Sequence, residues 1–398
     1  MKNKLSVNKT ALAMAVAQAF AINTSSAAII TVNNSLDAGV GCTLREAITS
    51  INAGVASGGC VASGVLGTND SIDFSVSEVI VSGSELAITE NVSFNPDGSE
   101  VTIDGDGFEG VFYIENSTVS FDRVTITGGN TIGGGGGIYA YNSSVSLNNS
   151  TVSGNEADYG AGIYSNVSTI ELSNSTVSGN SAEDYGGGIY AYANSTVTLS
   201  NSTVSSNLSG AYTGGIFNAS GVLELSNSTV TGNSGSTTYY SYGGGIAVLF
   251  STVTLNNNLI AGNTAFDAGE LYNIGSTITS NSNLFGDSVV FFTPSTSDTL
   301  IDLNQTNLST VLSPLADNGG PTLTHVLPPG SPAIDAGDNT VCAAAPVNNR
   351  DQRGESRLSG SACDIGAVEV QAVVTAPIGD EALFVVPLPN GNSVIFGL

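Results

Sequence analysis

The chain has 398 residues, of which 49 are glycine, 4 are cysteine and none is tryptophan. Its formal net charge is −26 at pH 7, because only 8 Lys and Arg oppose 34 Asp and Glu. Such a surface repels nucleic acid and anionic lipid, so we expect neither as a partner.

The first 28 residues are typical of an export signal. Lys2, Lys4 and Lys9 precede a short apolar run at 11–22, and Ser26-Ala27-Ala28 supplies small residues for cleavage. The apolar run is shorter than the roughly 20 residues that span a bilayer. We therefore expect a secreted or cell-surface protein without a transmembrane segment. Removing residues 1–28 takes away three Lys and no acid, so the mature net charge is 5 − 34 = −29.

Residues 29–69 are predicted to form an N-terminal cap. Thr43-Leu-Arg-Glu46 is a capping-box sequence at the head of an amphipathic run, 44–53. We expect a short helix there, covering the open edge of a repetitive region that starts near residue 70.

The central region is built from repeats of about 25–30 residues. Asn-Ser-Thr-Val recurs at 149–152, 174–177, 201–204 and 227–230. Each repeat carries three short strand signals with alternating apolar residues, separated by Gly and Asn turns. One inward-facing track is Ile138, Ile163, Ile189, Ile216 and Ile246. The pattern predicts an all-β, right-handed, single-stranded parallel β-helix over residues 70–290.

A column of asparagines is expected to follow from this stacking. The asparagines that end each repeat lie 25, 25, 27, 26 and 30 residues apart, at Asn130, Asn155, Asn180, Asn207, Asn233 and Asn263. Coils stack at about 4.8 Å, so equivalent side chains form ladders. We expect these amides to bond to one another along the stack.

The period fades after residue 290. Residues 291–370 are predicted to form closing coils and a C-terminal cap, and residues 371–398 a tail in which Asn390-Gly391 turns a hairpin. Four cysteines in an exported chain predict two disulfides, and sequence proximity favours the pairs Cys42–Cys60 and Cys342–Cys363.

Several motifs resemble a known family. Cys42-Thr-Leu-Arg-Glu-Ala-Ile48 resembles the CSLREA motif of exported bacterial β-helix proteins. The C-terminal region of the choice-of-anchor Q family is similar to Ser331-Pro-Ala-Ile-Asp-Ala-Gly337, Asp351-Gln-Arg-Gly354 and Asp364-Ile-Gly-Ala-Val-Glu369. The resemblance implies a secreted or surface-associated bacterial protein with a pectate-lyase-like β-helix. It implies little about activity.

Aromatic residues recur beside the inward Ile track and are the candidate ligand-binding residues. Alternation should point them outward, where they would offer a surface for sugar rings: Tyr139, Tyr141, Tyr164, Tyr190, Tyr192 and Phe217. A second file comes four residues before each Ile: Tyr159, Tyr185, Tyr212 and Tyr242. The alternative is an aromatic ladder that only stabilises the stack.

Two carboxylates share a register in successive coils, at Asp158 and Asp184. Stacked carboxylates repel each other unless a cation or a proton intervenes, so this pair is the candidate Ca²⁺ site. The alternative is a solvated acidic edge. We expect no other cofactor.

A polysaccharide lyase or hydrolase would need a base or paired carboxylates. The candidate catalytic residues are Asp104, Asp106, Asp122 and Arg123, since Arg123 is the one base within the coils. Lys is absent after residue 28. The sequence therefore favours a glycan-binding or adhesion scaffold over an enzyme, with a structural envelope spacer as the third hypothesis.

Overall fold

The computed structural model describes residues 27–94, 99–238, 241–286 and 288–371, together with the backbone of three strands in the C-terminal tail. The predicted signal segment lies outside the described residues, apart from its last two residues. So does the Asn390-Gly391 turn.

The chain winds into a right-handed parallel β-helix, as the repeats predict. The strands form four sheets, named A to D, whose bounds are given in the next paragraph. Each coil passes in turn through sheets C, A and B, and four coils add a strand of sheet D between B and C. Every strand of sheets A to D pairs in parallel with equivalents one coil away. The ladder therefore runs along the helix axis.

The strand bounds follow, sheet by sheet. Sheet A contains Ile29–Val32, Asp70–Phe74, Val92–Phe94, Thr118–Asp122, Ser144–Asn148, Thr169–Ser173, Thr196–Ser200, Val222–Ser226, Thr252–Asn256 and Thr277–Asn281. Sheet B contains Glu78–Ile80, Val101–Asp104, Val124–Thr127, Thr151–Ser153, Thr176–Ser178, Thr203–Ser205, Thr229–Thr231, Leu259–Ile260, Leu284–Gly286 and Thr299–Ile301. Sheet C contains Leu86–Ile88, Phe112–Glu115, Ile138–Tyr141, Ile163–Asn166, Ile189–Tyr192, Ile216–Ala219, Ile246–Leu249, Leu271–Ile274 and Val289–Val290. Sheet D contains Asn130–Gly134, Glu156–Tyr159, Ser181–Tyr185 and Leu208–Ser209.

The core is a continuous column of inward apolar side chains. In the coil around residue 145, for example, Val145, Leu147 and Val152 are fully buried. Because alternate residues of a strand face opposite sides, the same strands present Ser and Thr outward. Several coils must stack to bury this face, since one coil cannot do so alone.

The N-terminal end is covered by helix α1, Leu44–Ala53. The Thr43 side chain accepts from the Glu46 backbone and the Glu46 side chain accepts from Thr43, so the predicted capping box forms. Ala47, Ile48 and Ile51 are buried against the first rungs. One expectation differs: Ile29–Val32 already pairs with Asp70–Phe74, so the first rung of sheet A precedes residue 70.

The asparagine column forms, but not from the residue that spacing first indicated. Asn155 donates to Asn180, Asn180 to Asn207, Asn207 to Asn233 and Asn233 to Asn263, each over 2.9 Å. The prediction that Asn130 belongs to this column is wrong. It is exposed, and Gly129 instead donates its N–H to Asn155. The other end is closed by buried Glu270, whose carboxylate accepts from Asn263 at 2.7 Å.

Residues 308–370, which we call the returning segment, run back along the flank of the helix. They include the short 3₁₀ helix Leu308–Thr310 and helix α2, Asn339–Ala343. Gln352 bonds to the outward Thr176 and Thr203 of sheet B, and Ala367 donates to Thr229. A C-terminal cap was expected here. The outward hydroxyls of sheet B hold the segment on the flank instead.

The two predicted disulfides are present and hold both flanking regions. Cys42–Cys60 ties α1 to the loop after it, and Cys342–Cys363 closes a loop within the returning segment. In the tail, the strand Glu381–Pro387 pairs antiparallel with Ser393–Gly397 and with Pro377–Ile378. No helix among the described residues is long and apolar enough to cross a membrane.

Candidate functional site

The predicted aromatic residues lie together on the outer face of sheet C and the adjoining sheet D. Tyr113, Tyr139 and Tyr164 occupy one register position in successive coils. Their rings stack, with centroids 5.1 and 4.8 Å apart. Tyr185 and Tyr212 stack beside them at 4.2 Å. This arrangement matches the alternative in which an aromatic ladder stabilises the coils, since neighbouring rings cover one another's faces.

Phe217 was expected to face solvent, and that expectation is wrong. Its side chain is only 3% exposed. The rings of Tyr185 and Tyr190 lie against it, with centroids 5.1 and 5.3 Å away. The extra strand of sheet D brings the second aromatic file over the first, so outward alternation does not produce exposure here.

Tyr141 and Tyr192 are the most exposed of the predicted aromatic residues, although the Tyr192 ring still lies against Tyr190, with centroids 6.2 Å apart. They are 40% and 47% exposed. Tyr141 is in register with Asn166 of the next coil, and Asn166 is in register with Tyr192 of the coil after that. The two tyrosines therefore occupy positions two rungs apart along the axis, about 9.6 Å between their backbones, with an amide at the position between them. We call Tyr141, Asn166 and Tyr192 the tyrosine face.

The phenol groups behind the tyrosine face are neutral and can donate hydrogen bonds. Burial, with help from Tyr164 and Tyr192, raises the pKa of Tyr190 to about 12. Burial also raises the pKa of Tyr139, whose phenol hydrogen-bonds to Asn166. These groups stay protonated at neutral pH and support the exposed pair from behind.

Sequence reasoning missed Asn166, although a signal for it exists. Counting three residues from each inward Ile gives Tyr141, Asn166 and Tyr192 in turn. The alternation of ring, amide and ring was visible in that count. What the count does not give is that Asn166 is half-buried and held beside Tyr139.

The candidate calcium residues lie at an irregularity in sheet D. The register between Glu156–Tyr159 and Ser181–Tyr185 shifts after Ala157, so Asp158 and Asp184 both directly precede the paired residues Tyr159 and Tyr185. The Asp158 carboxylate accepts the Gly133 N–H at 3.0 Å, and Asp184 hydrogen-bonds to Tyr159. Across the described ranges, no group of three or more His, Cys, Asp or Glu side chains is arranged to hold a metal ion.

The candidate catalytic residues are not brought together. Val101 donates its N–H to the Arg123 carbonyl, whereas Asp104 lies three residues further along that strand, opposite Thr127. Three residues of strand span about 10 Å. Asp104 and Arg123 therefore lie on neighbouring rungs of sheet B but at opposite ends of the strands.

The remaining two candidates have local partners of their own. Asp106 belongs to the turn after Asp104, to whose carboxylate its N–H donates at 2.9 Å. Asp122 accepts from the Asn149 side chain at 2.9 Å. The four residues therefore do not form one cluster.

Arg123 instead borders a cleft that the sequence did not indicate. The cleft has a volume of about 410 Å³ and lies where the returning segment meets the corner between sheets A and B. Its charged side chains are Glu100, Arg123 and Arg353. Arg353 is held by Asp351 at 2.7 Å, within the Asp-Gln-Arg-Gly motif. No periodicity connects these residues, so only the folded chain reveals the cleft.

His325, the one histidine, is structural. It is 8% exposed, its Nε2 lies 2.9 Å from the Ser205 hydroxyl and its Nδ1 lies 2.6 Å from the Ser313 carbonyl. Burial lowers its pKa. It fastens the returning segment to sheet B.

Two comparisons with known proteins gave a match. The crystal structure of the pectate lyase Pel9A is similar to this chain, with a TM-score of 0.47 and 14% sequence identity over 75% of this chain and 88% of that one. No curated protein matches the sequence. The model of the right-handed β-helix region matches residues 63–221 and 109–285, which together cover more than half of the chain. The chain belongs to the right-handed β-helix family.

Proposed function

We propose that this protein is an exported β-helix that binds glycans on the tyrosine face. The observation that carries the proposal is the pair of exposed rings, Tyr141 and Tyr192, two rungs apart around Asn166. Sugar rings bind through apolar faces that stack on aromatics and hydroxyls that bond to amides, and this surface supplies both groups.

Three features support export and attachment to a cell surface. The N-terminal residues are typical of a signal peptide. Two disulfides are stable in oxidising compartments. The sequence motifs around α1 and in the returning segment resemble the choice-of-anchor Q family of exported proteins. The scaffold would hold its ligand along a rigid rod.

A second candidate function, cleavage of a polysaccharide, rests on the cleft at Arg123. Two arginines and Glu100 border a volume that accommodates a sugar residue or two. One of these arginines, Arg353, already serves Asp351 and the Glu369 carbonyl. Binding is favoured because the tyrosine face is open, while the four sequence candidates for catalysis are separated.

The test is one incubation of the mature protein with a panel of immobilised polysaccharides, with and without Ca²⁺. We expect retention without release of new chain ends, and loss of retention in Tyr141→Ala and Tyr192→Ala. Release of chain ends that Arg123→Gln abolishes would establish the enzyme instead. If Ca²⁺ is required and Asp158→Asn removes the requirement, the sheet D carboxylates hold the ion. If the protein is neither retained by nor cleaves any polysaccharide of the panel, the structural spacer is the favoured function.

A further inference from the structure

The tyrosine face also indicates which glycans it accepts, an inference that rests on the proposed function. We infer that the ligand is an uncharged, extended polysaccharide lying parallel to the helix axis.

The charges near the face are negative. Glu115 is in register with Tyr141 and one coil before it, so the two side chains are neighbours on the outer surface of sheet C. Asp184 stands at the Tyr159 phenol, in the neighbouring aromatic file of sheet D. An anionic ligand would therefore meet repulsion on both sides, at a surface whose overall charge is already strongly negative.

The cations of the described residues lie elsewhere. Arg45 is paired with Asp37 at 2.8 Å beside the first rungs. Arg123 is at the corner between sheets A and B, and Arg350, Arg353 and Arg357 belong to the returning segment. The strands of sheet C themselves contain no Lys or Arg. A polyuronate or a sulfated chain would find no counter-charge at the tyrosine face.

The spacing of the rings defines the shape of the ligand. Tyr141 and Tyr192 are about 9.6 Å apart along the axis, which is about the length of two sugar rings in an extended chain. Tyr139 and Tyr164, at 4.8 Å, are too close for a sugar ring to enter between them. A chain parallel to the axis places every second ring on a tyrosine and the ring between them on Asn166.

The outward positions next to the face limit its length. The position of Tyr192 is occupied by Ala219 and then Leu249 in the following coils. On the other side Glu115 takes the place of Tyr141. The face therefore has room for three to four sugar units, and affinity should stop rising beyond that length.

The experiment measures binding of the full mature chain to soluble oligosaccharides of two, four and six units, using neutral β-glucan and oligogalacturonate series. We expect neutral tetramers to bind at least tenfold more tightly than dimers, and hexamers to add no more than twofold. Because aromatic stacking is directional but not ionic, affinity should change less than twofold between 50 and 500 mM salt.

Matched variants locate the site. Tyr141→Ala and Tyr192→Ala should each weaken tetramer binding about tenfold, and Tyr192→Phe should retain most of it. Phe108→Ala is the control, because Phe108 is 62% exposed but lies in the turn between sheets B and C, at the opposite end of the sheet C strand. Circular dichroism with an unchanged melting temperature shows that each variant is folded.

The outcomes separate this inference from the proposed function. Tighter binding of galacturonate oligomers, lost in the tyrosine variants, would overturn the inference and leave glycan binding intact. Binding to both series without dependence on length would overturn it as well. If neither series binds while the protein is folded, both the inference and the proposed function fall.

Discussion

Two copies of the same pentapeptide, Asn-Ser-Thr-Val-Ser at 149–153 and at 201–205, adopt the same backbone in different surroundings. Both asparagines have positive φ, 51° and 47°, and both strands are rungs of sheet B. Thr151 is half-buried, whereas Thr203 is fully buried under Gln352 of the returning segment. The repeat therefore fixes the coil, and the returning segment decides which hydroxyls become structural.

The corner asparagines show the same contrast. Asn149 bonds within the coils, to Asp122. Asn201 instead accepts from the Arg357 guanidinium at 2.9 Å and donates to the Arg350 carbonyl. The covered coils thus use an ordinary turn residue to anchor a separate segment.

The largest effect is expected from Arg357→Met, which removes contacts between the returning segment and the coils that it covers. Arg357 has no exposed surface and donates to Asn201 and to the Gly366 carbonyl at 2.8 Å. Its removal leaves buried Glu369, 3.9 Å away, without its cation. We expect the free energy of unfolding to fall by about 3–5 kcal/mol in urea titrations.

The matched control for that substitution is Arg123→Met, at the equivalent corner of an earlier coil, where the side chain borders the cleft. Arg123 is exposed, so we expect a change within about 0.5 kcal/mol. Equal losses in the two variants would contradict the view that the returning segment is anchored through this corner.

An intermediate effect on stability is expected from pH, through Glu369 of the returning segment. Burial raises the pKa of Glu369 from its ordinary 4.5 to about 7. Because the folded state binds this proton more tightly than the unfolded state, the contribution of Glu369 to stability is full below pH 4.5. This contribution is lost as pH rises to about 7, by up to about 3 kcal/mol.

Glu369→Gln should abolish this slope in unfolding experiments between pH 4.5 and 7. Hydrogen exchange in the same range should show the returning segment loosening before the coils. An unchanged slope in the variant would assign the pH dependence to other groups of the network, such as Asp364, whose pKa burial also raises.

The smallest effect compares the two threonines directly. Thr203→Val removes the donor to Gln352 Oε1 at 2.7 Å and leaves a buried oxygen unpaired, so we expect a loss of about 1–2 kcal/mol. Thr151→Val keeps the shape of a half-buried residue and should change stability by no more than about 0.5 kcal/mol. Equal effects would mean that the buried hydrogen bond contributes nothing measurable.

The coils could be predicted from the sequence because the information is local and repeated. Inward residues such as Ile138 and Ile163 recur at a fixed place in each period, and every coil repeats the same pairing. The capping box of α1 and the two disulfides were likewise given by residues close together in the chain. Asn130 shows the limit: equal spacing placed it in the ladder, but it lies one register position away.

The candidate site could be predicted only in part. Alternation located the aromatic residues on one face, but it could not separate exposed Tyr192 from buried Phe217, because sheet D covers one and not the other. A separation of one coil suggested that Asp104 lies beside Arg123, although a strand's length separates them in the folded coil.

The sequence alone determined the coil, its period and its inward column, since these depend on contacts that every repeat renews with its neighbour. Only the tertiary structure decided where the returning segment docks, how the cleft beside Arg353 forms and which tyrosines stay open. Those features join residues up to 177 positions apart, such as Gln352 and Ser175. No periodic pattern specifies such pairs, because each occurs once and depends on the packing of non-repeating side chains.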